Sequence, residues 1–86
     1  MRTIAFEVSA FKDFVEWGQL DRKIQQRIST LILDTLRSPF DGLGKPEALR
    51  HELRGYWSRR ITDEHRLVYK VTDSQIIVLA CRYHYE

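Results

Sequence analysis

Asp41-Gly42-Leu43-Gly44-Lys45-Pro46 is the one cluster of turn formers in the chain, and it parts a half with helical periodicity from a half with strand periodicity. Working upstream, Pro39 disfavours helical geometry at Ser38, so a helix must stop there. That helix starts after Asp21, a residue able to cap it. Ile24, Ile28, Leu31, Ile32 and Thr35 or Leu36 form its apolar stripe, and Arg22, Lys23, Gln26 and Arg27 its wet side. Before it, Ser9 is an N-cap candidate for a shorter amphipathic helix, with Phe11, Phe14, Val15 and Gly18 at three- and four-residue spacing. Thr3 to Val8 is short, apolar and partly β-branched, which predicts a first strand.

Downstream of the loop the pattern predicts strands at His51–Arg54, Tyr56–Thr62, His65–Thr72 and Gln75–Tyr83, broken at Gly55, Asp63-Glu64 and Asp73-Ser74. The run from Ile76 to Cys81 is continuously apolar, as a strand covered on both faces along its middle would be. Strict alternation places Ile76, Val78, Ala80, Arg82 and His84 on one face of that strand, and Ile77, Leu79, Cys81, Tyr83 and Tyr85 on the other. The predicted fold class is α+β, in the order β-α-α-β-β-β-β, with two helices on one face of a curved, mainly antiparallel sheet. Neither half could hold a core alone, so residues 1–86 are expected to form a single domain.

The 86 residues are 43% hydrophobic and 30% charged, an ordinary globular composition. No apolar run approaches the roughly 18 residues of a membrane span, and the N-terminus lacks the pattern of a signal peptide. Cys81 is the only cysteine, so a disulfide framework is excluded and a reducing, cytoplasmic home is expected. Fourteen Lys and Arg against twelve Asp and Glu leave a formal net charge of only +2, so the location of charge matters more than its total.

Five arginines fall between Arg50 and Arg66, interleaved with Tyr56, Trp57 and Tyr69. Planar guanidinium forks bind phosphates and aromatic faces stack on unpaired bases, so the pattern suits single-stranded nucleic acid. A solvated charged surface, with Trp57 in the core, accounts for the same residues. At the other end Arg82, Tyr83, His84 and Tyr85 gather polar and aromatic groups, and an imidazole there could exchange protons near neutral pH; a merely exposed histidine is the competing reading. Cys81 and His84 have a C-x-x-H spacing, but no second ligand pair exists and His51 and His65 stand apart, so no metal or other cofactor is expected. Cys81, inside an apolar run, is expected to be an inert buried thiol. Gly42-x-Gly44 lacks the flanking strand and helix of a dinucleotide fingerprint, and Ser58 lacks a nucleophile elbow. RNA cleavage can use what remains, because RNA carries its own nucleophile. A base for the 2′-hydroxyl, an acid for the leaving 5′-oxygen and cations for the phosphate suffice.

The second half is similar to a known family. Gly44-Lys45-Pro46-Glu47, Leu49-Arg50-His51, Gly55-Tyr56-Trp57-Ser58-Arg59-Arg60-Ile61-Thr62, Glu64-His65-Arg66-Leu67-Val68-Tyr69 and Ala80-Cys81-Arg82-Tyr83-His84-Tyr85 closely resemble the YoeB (Txe) toxins of bacterial toxin–antitoxin modules, within the RelE/ParE superfamily. The resemblance implies a ribosome-dependent mRNA endoribonuclease that cuts the codon exposed in the A site. Carried over by position, Glu47 is implied as the general base, Arg66 as the cation that stabilises the transition state and His84 as the general acid. Arg50 and Arg60 would orient phosphate and Tyr85 would shape the pocket, while Arg59 is expected on the RNA-binding basic surface. The residues alone point to His84 and the arginines; only the resemblance singles out Glu47.

The chain has Arg50 where the family usually has lysine, and Glu86 follows the His-Tyr pair at which the family commonly closes. The implied partners are the ribosome with its mRNA, an antitoxin of the YefM/Phd type and, since members can be dimeric, a second copy of the toxin. No membrane partner is implied. The rival functional reading is a non-cleaving relative on the same fold, a gyrase-directed ParE-type inhibitor or an RNA-binding module. The Glu, Arg and His set favours cleavage over it.

Overall fold

The computed structural model describes residues 1–83; His84, Tyr85 and Glu86 lie outside the described residues. Strand β1 (Thr3–Phe6) leads into helices α1 (Val8–Leu20) and α2 (Arg22–Arg37), and then come β2 (Glu47–Ala48), β3 (Tyr56–Arg60), β4 (Arg66–Val71) and β5 (Gln75–Ala80). The strands form one sheet in the order β1-β5-β4-β3-β2, with β1 parallel to β5 and every other pair antiparallel. The expected α+β class and helix-strand division are what the molecule has.

Both helices pack on one face of the sheet. Ala10 and Trp17 from α1 and Ile28, Leu31 and Ile32 from α2 meet Leu67 and Tyr69 of β4 and Ile76 and Val78 of β5. Asp21 caps α2 as expected, its Oδ1 accepting from the amides of Lys23 (3.0 Å) and Ile24 (3.4 Å). The loop expected at Asp41–Pro46 is present, and Gly44 is obligatory there. Its φ is +78°, and a Cβ would lie 2.9 Å from Leu31 Cδ2 and 3.1 Å from the Arg60 carbonyl oxygen.

Three local expectations need correction. Helix α1 starts at Val8 with Glu7 as its N-cap, and its core-facing stripe is buried Ala10 and Trp17 with half-buried Phe14, so Phe11 and Val15 are exposed. The helix is apolar around much of its girth, and what selects the face is Trp17, whose Nε1 donates to the Cys81 carbonyl at 3.0 Å. The strand expected at His51–Arg54 is a single 3₁₀ turn, His51–Leu53, and the edge strand lies earlier, at Glu47–Ala48. His51 has φ +58°, a left-handed conformation that ends extended pairing, while the Leu49 amide still reaches the Tyr56 carbonyl at 2.9 Å.

The third correction concerns β5. Tyr69 pairs with Val78 but Val68 with Ala80, so Leu79 is an extra residue, a β-bulge. The bulge shifts the alternation by one. Ile76 and Val78 face the helices, Ala80 joins Val68 on the opposite face, and Cys81 returns to the core. The strict parity expected through Tyr85 therefore fails after Val78, and β5 ends at Ala80.

Candidate active site

The sheet face turned away from the helices carries the candidate site, and strand register assembles it. Glu47 of β2 lies opposite Ser58 of β3, Ser58 opposite Val68 of β4, and Arg60 opposite Arg66. Directly opposed residues, and residues two apart on a strand, share a face, so Glu47, Ser58, Arg60 and Arg66 project together. They line a cleft of about 390 Å³, to which the β2–β3 connection adds Arg50 and His51 and the loop before β2 adds Lys45. Four cations thus surround one carboxylate, and Glu47 makes no ion pair among the described residues.

Arg60 and Arg66 are like charges placed directly across a strand pair, an arrangement that destabilises a sheet unless an anion lies between them. Arg66 is also held in place. Its Nη1 donates to the carbonyls of Thr62 (2.6 Å), Asp63 (3.1 Å) and His65 (3.1 Å), so the β3–β4 turn fixes one edge of the guanidinium. Its backbone amide donates to the Tyr83 carbonyl at 2.8 Å. A cation oriented before substrate arrives needs little reorganisation when phosphate charge develops.

Arg59 is not part of this surface. It is fully buried on the helix side, one residue out of phase with Arg60. Each of its five N–H groups has a partner: Nε donates to Tyr69 Oη (3.2 Å), Nη1 to Asp34 Oδ2 (2.7 Å) and the Leu43 carbonyl (3.1 Å), and Nη2 to the carbonyls of Ser38 (2.6 Å) and Asp41 (2.9 Å). The expectation that Arg59 contacts RNA is therefore withdrawn, since no donor remains for phosphate. Its work is to fasten the loop that delivers Glu47. Hydrogen bonds from Arg37, the Leu43 amide and Arg59 hold the Asp34 carboxyl far below the usual carboxylate range.

Of the aromatic residues considered as stacking platforms, Tyr69 is buried and its hydroxyl donates to the Pro39 carbonyl at 2.8 Å. Trp57 is half-buried against Phe40, with ring centroids 4.9 Å apart. Cys81 is buried and its thiol is pushed up to about 12, chiefly by desolvation, which agrees with an inert core thiol. Among the described residues no three His, Cys, Asp or Glu side chains gather as metal ligands. No helix there is long and apolar enough to cross a membrane. The expected acid His84 and its neighbour Tyr85 lie outside the described residues.

A family profile for the YoeB-like toxin of bacterial type II toxin-antitoxin systems matches residues 6–85. The chain is 55% identical to toxin YoeB of Escherichia coli K12 over 76 residues, 88% of this chain and 90% of that one. It belongs to the YoeB toxin family. Among solved structures, a YoeB dimer from Staphylococcus aureus matches with a TM-score of 0.91 and 44% identity over 98% of both chains. A YoeB-YefM complex from the same organism matches with a TM-score of 0.90 and 42% identity over 99% of both. Two ionisable lining residues, Lys45 and His51, were not among the site residues expected from the sequence, although both sit inside segments that carry the likeness to the YoeB family. Lys45 lies two residues from Glu47, and its φ of +53° is the available structural sign that the chain turns there to face the cleft.

Proposed function

We propose that this YoeB-family toxin is a ribosome-dependent mRNA endoribonuclease acting in the cytoplasm. The observation that carries the reading is the shared cleft: one carboxylate, Glu47, faces two opposed arginines, Arg60 and Arg66, on a single sheet face. In the proposed reaction Glu47 takes the proton of the 2′-hydroxyl and the 2′-oxygen bonds to phosphorus. The P–O5′ bond breaks, and His84 gives its proton to the leaving 5′-oxygen. Arg66 stabilises the charge that builds on the phosphoryl oxygens, with Arg60 and Arg50 orienting the phosphate and Tyr85 completing the pocket. An antitoxin of the YefM/Phd type is the proposed neutralising partner, by analogy with the staphylococcal YoeB-YefM complex, and the staphylococcal dimer supports a homodimer.

Programmed ribosomes mixed with the purified protein, followed by mapping of RNA ends, test the reaction. The expected products carry a 5′-hydroxyl on the downstream fragment and a 2′,3′-cyclic phosphate or 3′-phosphate on the upstream one. A 5′-phosphate would rule out attack by the 2′-oxygen. Glu47→Ala and His84→Ala should each lower the single-turnover rate by about 10²- to 10⁴-fold with ribosome affinity retained. Parental rates in either variant would remove that residue from its role.

A further inference from the structure

His65 carries no role in the reaction proposed above, yet it is buried and its ring is engaged on every side. Its Nδ1 accepts the Tyr83 amide at 2.7 Å, so the neutral ring holds its proton on Nε2, which faces Glu64 Oε1 at 3.6 Å. The edge of Trp17 from α1 lies 4.9 Å away by ring centroids, and the Tyr83 ring 5.6 Å. The charged groups around it are Glu64 on the turn, Arg66 on β4, and Arg82, whose guanidinium covers the Trp17 and Tyr83 rings. Arg82 is itself paired with Glu16 and Asp13 of α1.

Tyr83 has φ +64°, a conformation that a bulky side chain rarely adopts and that surrounding contacts must impose. Two contacts do so. The Tyr83 amide is taken by His65 Nδ1 and its carbonyl by the Arg66 amide, so the first residue of β4 and the residue just before it grip both backbone polar groups of one residue. We propose that His65 is a positioning residue: with Arg66 it clamps Tyr83 in the left-handed conformation and thereby sets how the chain enters the His84-Tyr85 pair. The inference rests on the functional reading only in assigning a purpose to the clamp.

Asparagine places an amide oxygen where Nδ1 stands, whereas glutamine places its amide near Nε2. The Tyr83 amide should be protected from hydrogen exchange in the parent and in His65→Asn, and His65→Gln should lack that protection. In single-turnover cleavage on ribosomes at pH 8, His65→Asn should stay within about threefold of the parent and His65→Gln should fall at least about tenfold at unchanged ribosome affinity. Equal rates in folded Asn and Gln variants, or a Tyr83 amide unprotected in the parent, would overturn the proposal. If His65→Gln does not fold, Tyr83 amide protection in the parent and in His65→Asn decides, and its loss in His65→Asn would overturn the proposal. If the parent does not cleave at all, the functional reading fails while the exchange measurements still decide whether the clamp exists.

Discussion

Burying a guanidinium costs several kcal/mol unless its donors are matched, and Arg59 meets that condition with five partners. Three of those partners are carbonyls of the Ser38–Leu43 loop, so truncating Arg59 would leave them unpaired and remove the buried cation from Asp34. Arg59→Ala should therefore destabilise by about 3–5 kcal/mol, a fall in melting temperature of roughly 15 °C or more for a domain of this size. Thermal melts check this. A variant that melts like the parent would return Arg59 to the surface. Asp34 gives the same ion pair a pH signature. Its folded carboxyl sits below the ordinary range while the unfolded one titrates near 4, so its contribution is complete above about pH 5 and is lost as pH falls through 4 and below. Asp34→Asn should accordingly be less stable at pH 7 and show a shallower loss of stability on acidification. In the sequence Arg59 and Arg60 look alike, and composition favours exposure for both. The distinguishing signal was parity, since Arg59 alternates with Trp57 and Ile61 whereas Arg60 alternates with Ser58.

The site depends on two devices at the level of elements: the loop that delivers β2 and the bulge in β5. Gly44 links the loop to the site, because its carbonyl accepts the Arg60 amide at 2.7 Å while its α-carbon packs on Leu31 and Arg59. Gly44→Ala places a side chain at φ +78° in a gap already too small, and should cost about 1–3 kcal/mol. It should also slow cleavage in the fraction that remains folded, since Glu47 and Arg60 are set by this segment. Denaturant titration beside single-turnover cleavage separates the two effects, and a stable variant with parental rate would show that the loop tolerates another path. Both helices, the loop and four of the five strands were legible because each rests on a local signal: a cap, a periodic stripe, or a turn former. The bulge at Leu79 was not. Every residue from Ile76 to Cys81 is apolar, so no polar position marked the face on which alternation slips.

For the whole molecule, the sheet acts as a partition, with helices and core on one side and the cationic cleft on the other. The arginines of the cleft were legible in the sequence itself, but Glu47 only through family likeness, because Glu47 and Arg66 are distant in the chain and only strand register through Ser58 and Arg60 brings them to one surface. This partition bears on binding. A formal net charge of +2 is too small to steer a protein to RNA, so attraction has to come from where the charges lie. Lys45 and Arg60 line the cleft, whereas Arg22 and Lys23 are exposed at the start of α2, away from it. Replacing either pair with alanine removes two positive charges from the same total. If phosphates dock in the cleft, Lys45→Ala with Arg60→Ala should weaken ribosome binding and flatten the slope of log affinity against log salt by up to about 1.4, the release expected for two contacts to a single strand. The Arg22→Ala and Lys23→Ala pair should leave that slope within error of the parent. Equal losses from both pairs would mean that net charge governs association and that the cleft is not where the RNA backbone is held.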